Sequence, residues 1–93
     1  MIIGACRIKV HIFESYSLKD KRQVIKSLIE RLKTRYNISI AEIDDLDSWQ
    51  TALIGFACVS NETKHVQSVI NNVIHFIDGD GRLEITAQDI EIL

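Results

Sequence analysis

The hexapeptide Ser17-Leu18-Lys19-Asp20-Lys21-Arg22 concentrates more potential chemistry than any other stretch of this 93-residue chain. Ser17 with an acid three residues later has the spacing of a capping box, Asp20 standing in for the usual Glu or Gln, so a helix starts here. A helix N-terminus carries partial positive charge and favours acids, yet Lys19, Lys21 and Arg22 are basic, each disfavoured by roughly 0.3–1 kcal/mol where exposed. An anion would relieve the conflict. Free backbone N–H groups together with these cations suit a phosphate of RNA or of a nucleotide, and Lys26 extends the strip. A solvated helix face, tolerated because Asp20 lies near, explains the same residues. Arg7, Lys9 and His11 alternate along the N-terminal run and make a second basic set. On an uncovered face they would form a nucleic-acid platform, and otherwise they are ordinary polar surface. The expected anion- or nucleic-acid-binding set is therefore Arg7, Lys9, Ser17, Lys19, Lys21, Arg22 and Lys26.

Other candidates carry less. Glu42, Asp44, Asp45 and Asp47 suit a Mg²⁺ ion or paired carboxylates, and suit an acidic turn beside an edge strand equally well. Asp78-Gly79-Asp80-Gly81 resembles a calcium loop but has Phe76 where the first acid belongs and Ala87 where the twelfth-position Glu belongs, so it is a turn. His65 and His75 are ten residues apart, not four, and do not chelate from one helix face. Cys6 and Cys58 sit inside apolar runs and read as buried thiols, with a stress disulfide as the minority alternative. No Ser/His/Asp or Cys/His set and no phosphate-binding glycine loop is present. No catalytic residue, metal or cofactor is assigned.

The elements that position these residues follow from periodicity. Ile2 to Phe13 alternates, with Cys6, Ile8, Val10 and Ile12 opposite Arg7, Lys9 and His11, which predicts a half-buried strand. Ile25, Leu28, Ile29, Leu32 and Tyr36 form one apolar stripe on the first helix, which Asn37 is expected to end in a left-handed conformation. Ile38 to Ile43 is a second strand, joined through Asp44, Asp45, Asp47 and Ser48 to a third in a hairpin with an acidic tip. That third stretch, Trp49 to Asn61, is the longest nearly uncharged run and is expected at the centre of the sheet. Its Gly55-Phe56-Ala57 and Val59 partly match the core of an RNA-recognition motif, but Ile54 and Cys58 replace the basic residue and the second stacking aromatic. Val66, Val69, Ile70, Val73 and Ile77 stripe a second helix. In the last strand, Leu83 and Ile85 are odd while Ile90 and Ile92 are even, which predicts a β-bulge near Ala87 to Asp89.

The order βαββαβ gives an α+β fold, the ferredoxin-like plait: a four-stranded antiparallel sheet in order 4-1-3-2 with two helices on one face. One sheet face is left for water, a ligand or a second copy. Which face of the central strand meets the helices stays open at this level. The 93 residues, 46% hydrophobic and without proline, make one domain spanning 1–93. No signal or membrane-spanning run is found, and a cytoplasmic protein is expected. Net charge is −2, but residues 1–36 hold nine Lys/Arg against three Asp/Glu and residues 37–93 two against ten. Such asymmetry often accompanies an electrostatic interaction surface.

Ser-Leu-Lys-Asp-Lys-Arg (17–22), Asn-Ile-Ser-Ile-Ala-Glu (37–42), Asp-Ser-Trp-Gln (47–50) and Gly-Phe-Ala-Cys-Val-Ser-Asn (55–61) together resemble the YlxP-like family of small bacterial proteins of unknown function. The resemblance covers nearly the whole chain. It implies a ferredoxin-like domain in a bacterial cytoplasm and a gene lying near translation-initiation and ribosome-maturation genes, and it supplies no catalytic residues. Ser17, Lys19, Lys21, Arg22, Glu42, Trp49, Gln50 and Asn61 are the positions that meet its polar and aromatic pattern. The expected function is a non-enzymatic accessory factor that binds RNA or the ribosome through the basic patch. The alternative is a homo-oligomeric interaction module using the open sheet face, and a metal-dependent phosphate-ester enzyme using Glu42 and Asp47 ranks third.

Overall fold

The computed structural model describes residues 1–93, with β1 at Ile2–Ile12, α1 at Leu18–Arg35, β2 at Ser39–Asp44, β3 at Thr51–Ser60, α2 at Thr63–Asp78 and β4 at Leu83–Ile92. The strands lie in the order β2-β3-β1-β4, every neighbouring pair antiparallel. This is the expected ferredoxin-like plait, with β1 and β3 side by side in the middle.

Alternation now fixes the facing. Cys6, Ile8, Val10 and Ile12 of β1 and Ala52, Ile54, Phe56 and Cys58 of β3 are buried. They meet Ile25, Leu28 and Leu32 of α1 and Val66, Ile70, Val73 and Ile77 of α2 in a single apolar cluster. Burying each large aliphatic side chain contributes about 1.5–3 kcal/mol, so these two stripes hold the helices on the sheet. The odd-numbered residues therefore form the uncovered face. α2 presses hardest at Gly4, where a Cβ would overlap Val66 Cγ1 and come within 2.8 Å of Ile70 Cδ1.

Two expectations are adjusted, and two minority alternatives fall away. The bulge lies one residue earlier than predicted: Val10 faces Ile85 and Lys9 faces Ala87, which leaves Thr86 unpaired. The phase change in the apolar pattern has its source there. Helix α1 ends at Tyr36, which is extended at φ −131° and whose N–H donates to Leu32 O, so Asn37 has no left-handed role. Phe56 is buried, and none of the open-face strand positions bears Phe, Tyr or Trp, so the partial RNA-recognition pattern has no stacking platform. Cys6 faces Phe56 while Cys58 faces Gly4, making the thiols diagonal neighbours. Diagonal positions lie about 7–8 Å apart, beyond ordinary disulfide reach, and both cysteines are free.

Candidate functional site

Helix α1 begins as expected, with Ser17 Oγ accepting from Asp20 N at 3.0 Å. Asp20 completes the cap by accepting from the Tyr16 N–H at 3.1 Å, one residue before the position an ordinary capping box uses. The cap sets the rotation of the first turn, and that rotation drives Lys21 inward. Lys21 is fully buried. Its Nζ donates to Glu42 Oε2 at 2.8 Å, to Asp45 O at 2.8 Å, and over longer paths to Leu46 O and Thr51 O, both at 3.3 Å. An ammonium has three donors and no acceptor, so this cage of oxygens saturates it.

The cage ties α1 to the loop joining β2 and β3, and neighbouring bonds tighten the same corner. Ser15, also buried, donates to Trp49 O, Gln50 Nε2 donates to Ser15 O at 3.2 Å, and Ile12 N donates to Gln50 O at 2.7 Å. Asp45, one of two non-glycine residues at positive φ (60°), turns its carbonyl toward the lysine. The residues that carried the family pattern at Ser17, Lys21, Glu42, Trp49 and Gln50 thus meet at one end of the sheet. Ser15 and Thr51 belong to the same corner and had no signal in the sequence, because their parts are a buried hydroxyl and a backbone carbonyl.

This arrangement corrects the expected basic patch. Lys21 is spent inside the protein and is not available to an outside anion. Arg7 and Lys9 lie on the open sheet face, Arg7 paired with Asp89 at 2.5 Å and Lys9 with Asp45 at 3.3 Å. Nearby, His11 lies 3.5 Å from Glu84. Lys19, Arg22 and Lys26 stand on the exposed side of α1, across the sheet from that face, and belong to none of the ion pairs. The seven residues therefore divide into an internal cage with its cap, a neutralised row on β1, and a free row on α1.

The acidic cluster is likewise dispersed. Glu42 holds Lys21, Asp44 accepts from Asp45 N at 2.8 Å, and Asp45 reaches Lys9 and Thr51. No three His, Cys, Asp or Glu side chains converge closely enough to hold a metal ion. At the same end of the sheet, but at its β4 edge, Asp80 receives Arg82 Nε at 3.0 Å and Nη2 at 2.7 Å, and this pairing holds the Asp80 carboxyl below its ordinary value of 3.8 against the opposing effect of burial. Burial, assisted by the charge of Asp89, pushes the Cys6 thiol up to about 11, and burial raises Cys58 as well, so neither is a thiolate near neutral pH.

On the open face a contiguous apolar area covers three strands: Ile3 and Ala5 of β1, Leu53, Gly55, Ala57 and Val59 of β3, and Ala41 and Ile43 of β2, set by the cross-strand register. Val59 is 61% and Ile43 49% exposed. Ile43 leans over Gly55, where a Cβ would come within 2.9 Å of Ile43 Cδ1. A shallow depression of about 510 Å³ opens there, with Ala5, Ala41, Gly55 and Ala57 in its lining and Arg7 and Glu91 at its rim. No helix is long and apolar enough to cross a membrane.

A four-stranded antiparallel sheet with both helices on one side and a partly apolar other side defines a small ferredoxin-like α+β domain. Among solved structures, the de novo designed protein LFR1 1 with ferredoxin fold matches at a TM-score of 0.59 and 13% identity, covering 98% of this chain and 86% of that one. The de novo designed protein Foldit4 matches at 0.52 and 13% identity, covering 99% and 94%. These likenesses concern the fold alone. Residues 3–90 match the family model described as Protein of unknown function (DUF503), and the chain belongs to that family. Its relative in Bacillus subtilis (strain 168), the uncharacterized protein YlxP, is 34% identical over 85 residues, which cover 91% of this chain and 92% of that protein.

Proposed function

We propose that the protein is a non-catalytic binding module whose open sheet face is buried by a second copy of itself. The observation that carries this reading is the apolar area across β1, β3 and β2, centred on small residues that let another surface approach closely. Patches of this kind on a small protein mark interaction sites. The dimensions suit a dimer. Four strands about 4.8 Å apart and central strands rising about 3.3 Å per residue give a face of about 19 by 35 Å, or roughly 650 Å² per copy. Two such faces bury about 1,300 Å², inside the range of roughly 1,200–2,000 Å² typical of stable complexes. Sedimentation velocity across a concentration series tests the reading. Wild type is expected to sediment as a dimer and Val59→Arg with Ala57→Glu as a folded monomer. A wild-type monomer at high concentration would remove the proposal.

A second reading, association with RNA or with the ribosome in the cytoplasm, is favoured by one observation: Lys19, Arg22 and Lys26 form an exposed row without acidic partners. Three phosphate contacts at about 0.7–0.9 each predict that log affinity falls with log salt at a slope of about −2 to −3. The sequence-based set of six cations would have given about twice that. Lys19→Glu with Arg22→Glu abolishes binding on this reading, and an unchanged affinity refutes it. The two readings are compatible, since a sheet-to-sheet dimer leaves both α1 helices on the outside.

A further inference from the structure

β2 is an edge strand. Its outer side makes no backbone hydrogen bond, and between Ser39 and Glu42 it carries neither the Lys nor the Pro that commonly guards such an edge. Its register irregularity falls at the far end, between Glu42 and Asp44. Beside it runs α1, and between the two lies a trough of about 420 Å³ lined by Arg22, Ile25, Lys26, Ile29, Glu30, Lys33 and Glu42. Ile25 and Ile29 supply an apolar floor. Arg22, Lys26 and Lys33 follow one another at i, i+4 and i+11 on the same side of the helix and enter no ion pair. Of the two acids in the lining, Glu42 is already neutralised by Lys21, and Glu30 stands between Lys26 and Lys33 without an ion pair. The trough is therefore a row of three uncommitted cations, with the single acid Glu30 among them, beside a strip of unpaired backbone.

We propose that this trough takes up an extended acidic polypeptide segment, which adds to β2 as a fifth strand and sets carboxylates against Arg22, Lys26 and Lys33. The proposal deepens the second reading above, in that it rests on the α1 row facing an anionic partner. It names a polypeptide and not RNA because the row adjoins a sheet edge. An edge offers backbone donors and acceptors that an added strand satisfies and a sugar-phosphate chain does not. The spacing agrees: four helical residues rise about 6 Å, close to the roughly 6.7 Å between alternate side chains of a strand. Carboxylates two residues apart on the segment thus face Arg22 and Lys26, with an apolar side chain beyond them over Ile29. The other free edge, β4, does not compete for such a segment, because Glu84, Asp89 and Glu91 line it and Thr86 bulges from it.

The test uses the full chain with two fluorescent peptides of equal charge, repeating Glu, Glu and Val at successive positions of one side and Thr along the other. In the second peptide, proline replaces two of the Thr residues whose amides would join the ladder. Anisotropy is expected to show binding of the first peptide and a loss of roughly twenty-five-fold for the second, two backbone hydrogen bonds at about a factor of five each. Hydrogen exchange is expected to slow at the outward amides of Ser39–Asp44, and Arg22→Glu with Lys26→Glu, both at exposed positions, to abolish binding. Equal affinity for both peptides, or binding without protection of β2, would overturn strand addition. Single-stranded RNA is run alongside. RNA binding with no peptide binding would overturn the proposal and leave the anionic row standing, whereas binding of neither would end both.

Discussion

Replacing Lys21 by Met removes the ammonium while keeping most of the aliphatic stem, and so isolates what the oxygen cage contributes. The substitution strands the Glu42 carboxylate, 15% exposed, together with the carbonyls of Asp45, Leu46 and Thr51 that Lys21 now satisfies. Breaking a buried pair by deleting one partner costs about 3–5 kcal/mol, and Glu42, on an edge strand, turns partly toward water, which places the loss near about 3 kcal/mol. With about 2.1 cal/mol/K of unfolding entropy per residue over 93 residues, that loss lowers the melting temperature by about 15 °C. Thermal and urea unfolding followed by circular dichroism measure it. The double variant Lys21→Met with Glu42→Leu leaves no orphan charge and is expected to regain roughly half of the lost stability, the three carbonyls remaining unsatisfied. A single variant within about 0.5 kcal/mol of wild type, or a double variant no more stable than the single, would refute the view that the cage holds α1 to the hairpin.

Three further outcomes follow from the same geometry. Ser17→Ala removes the acceptor for Asp20 N and is expected to cost about 1 kcal/mol in urea unfolding, with Ser17→Gly nearer to wild type. Gly4→Ala forces a methyl group against Val66 and Ile70 and is expected to destabilise by about 1–3 kcal/mol, whereas Gly81→Ala, with open space around it, changes stability little. Asp80 has a depressed folded value because Arg82 hydrogen-bonds its carboxylate, so its contribution is complete above the unfolded value and disappears as pH falls through the lower folded value. Asp80→Asn should therefore lower stability at neutral pH by about 1–2 kcal/mol and flatten the acid limb of the stability–pH curve.

Most of the fold was legible because it depends on patterns that burial enforces. Alternation in β1, the apolar stripes of both helices and the phase change in β4 each record which side of an element faces the core, and the βαββαβ order leaves few topologies open. The bulge was placed one residue late because only Leu83, Ile85, Ile90 and Ile92 report the phase, and the residues between them carry no core-facing apolar side chain to mark the slip. The end of α1 was misread because Asn37 is compatible with a left-handed cap, while the chain instead turned extended at Tyr36, whose ring packs on the core. Facing in β3 was not legible at all. Small and apolar residues occupy both sides of that strand, and only its pairing with β1 separates the covered Phe56 from the uncovered Gly55 and Ala57.

The candidate site was legible in its residues but not in its direction. A helix start with three basic residues against the single acid Asp20 predicts an outside anion, and one anion is indeed supplied, though by the chain itself. Lys21 meets Glu42 from 21 residues away and three carbonyls from the loop beyond it. No local reading distinguishes a lysine that points to solvent from one that points into such a cage, because the distinction rests on the rotation of α1, set by its cap, and on where β2 falls in the sheet. The consequence separates two kinds of position within one motif. Ser17 and Lys21 explain why the hexapeptide and the segments around Glu42 and Trp49-Gln50 belong together: they close one corner of the domain. Lys19 and Arg22 take no part in that closure and have no internal partner, so architecture does not account for their charge. Any outside ligand of the helix start must be recognised by them, with Lys26 and Lys33 further along the same helix.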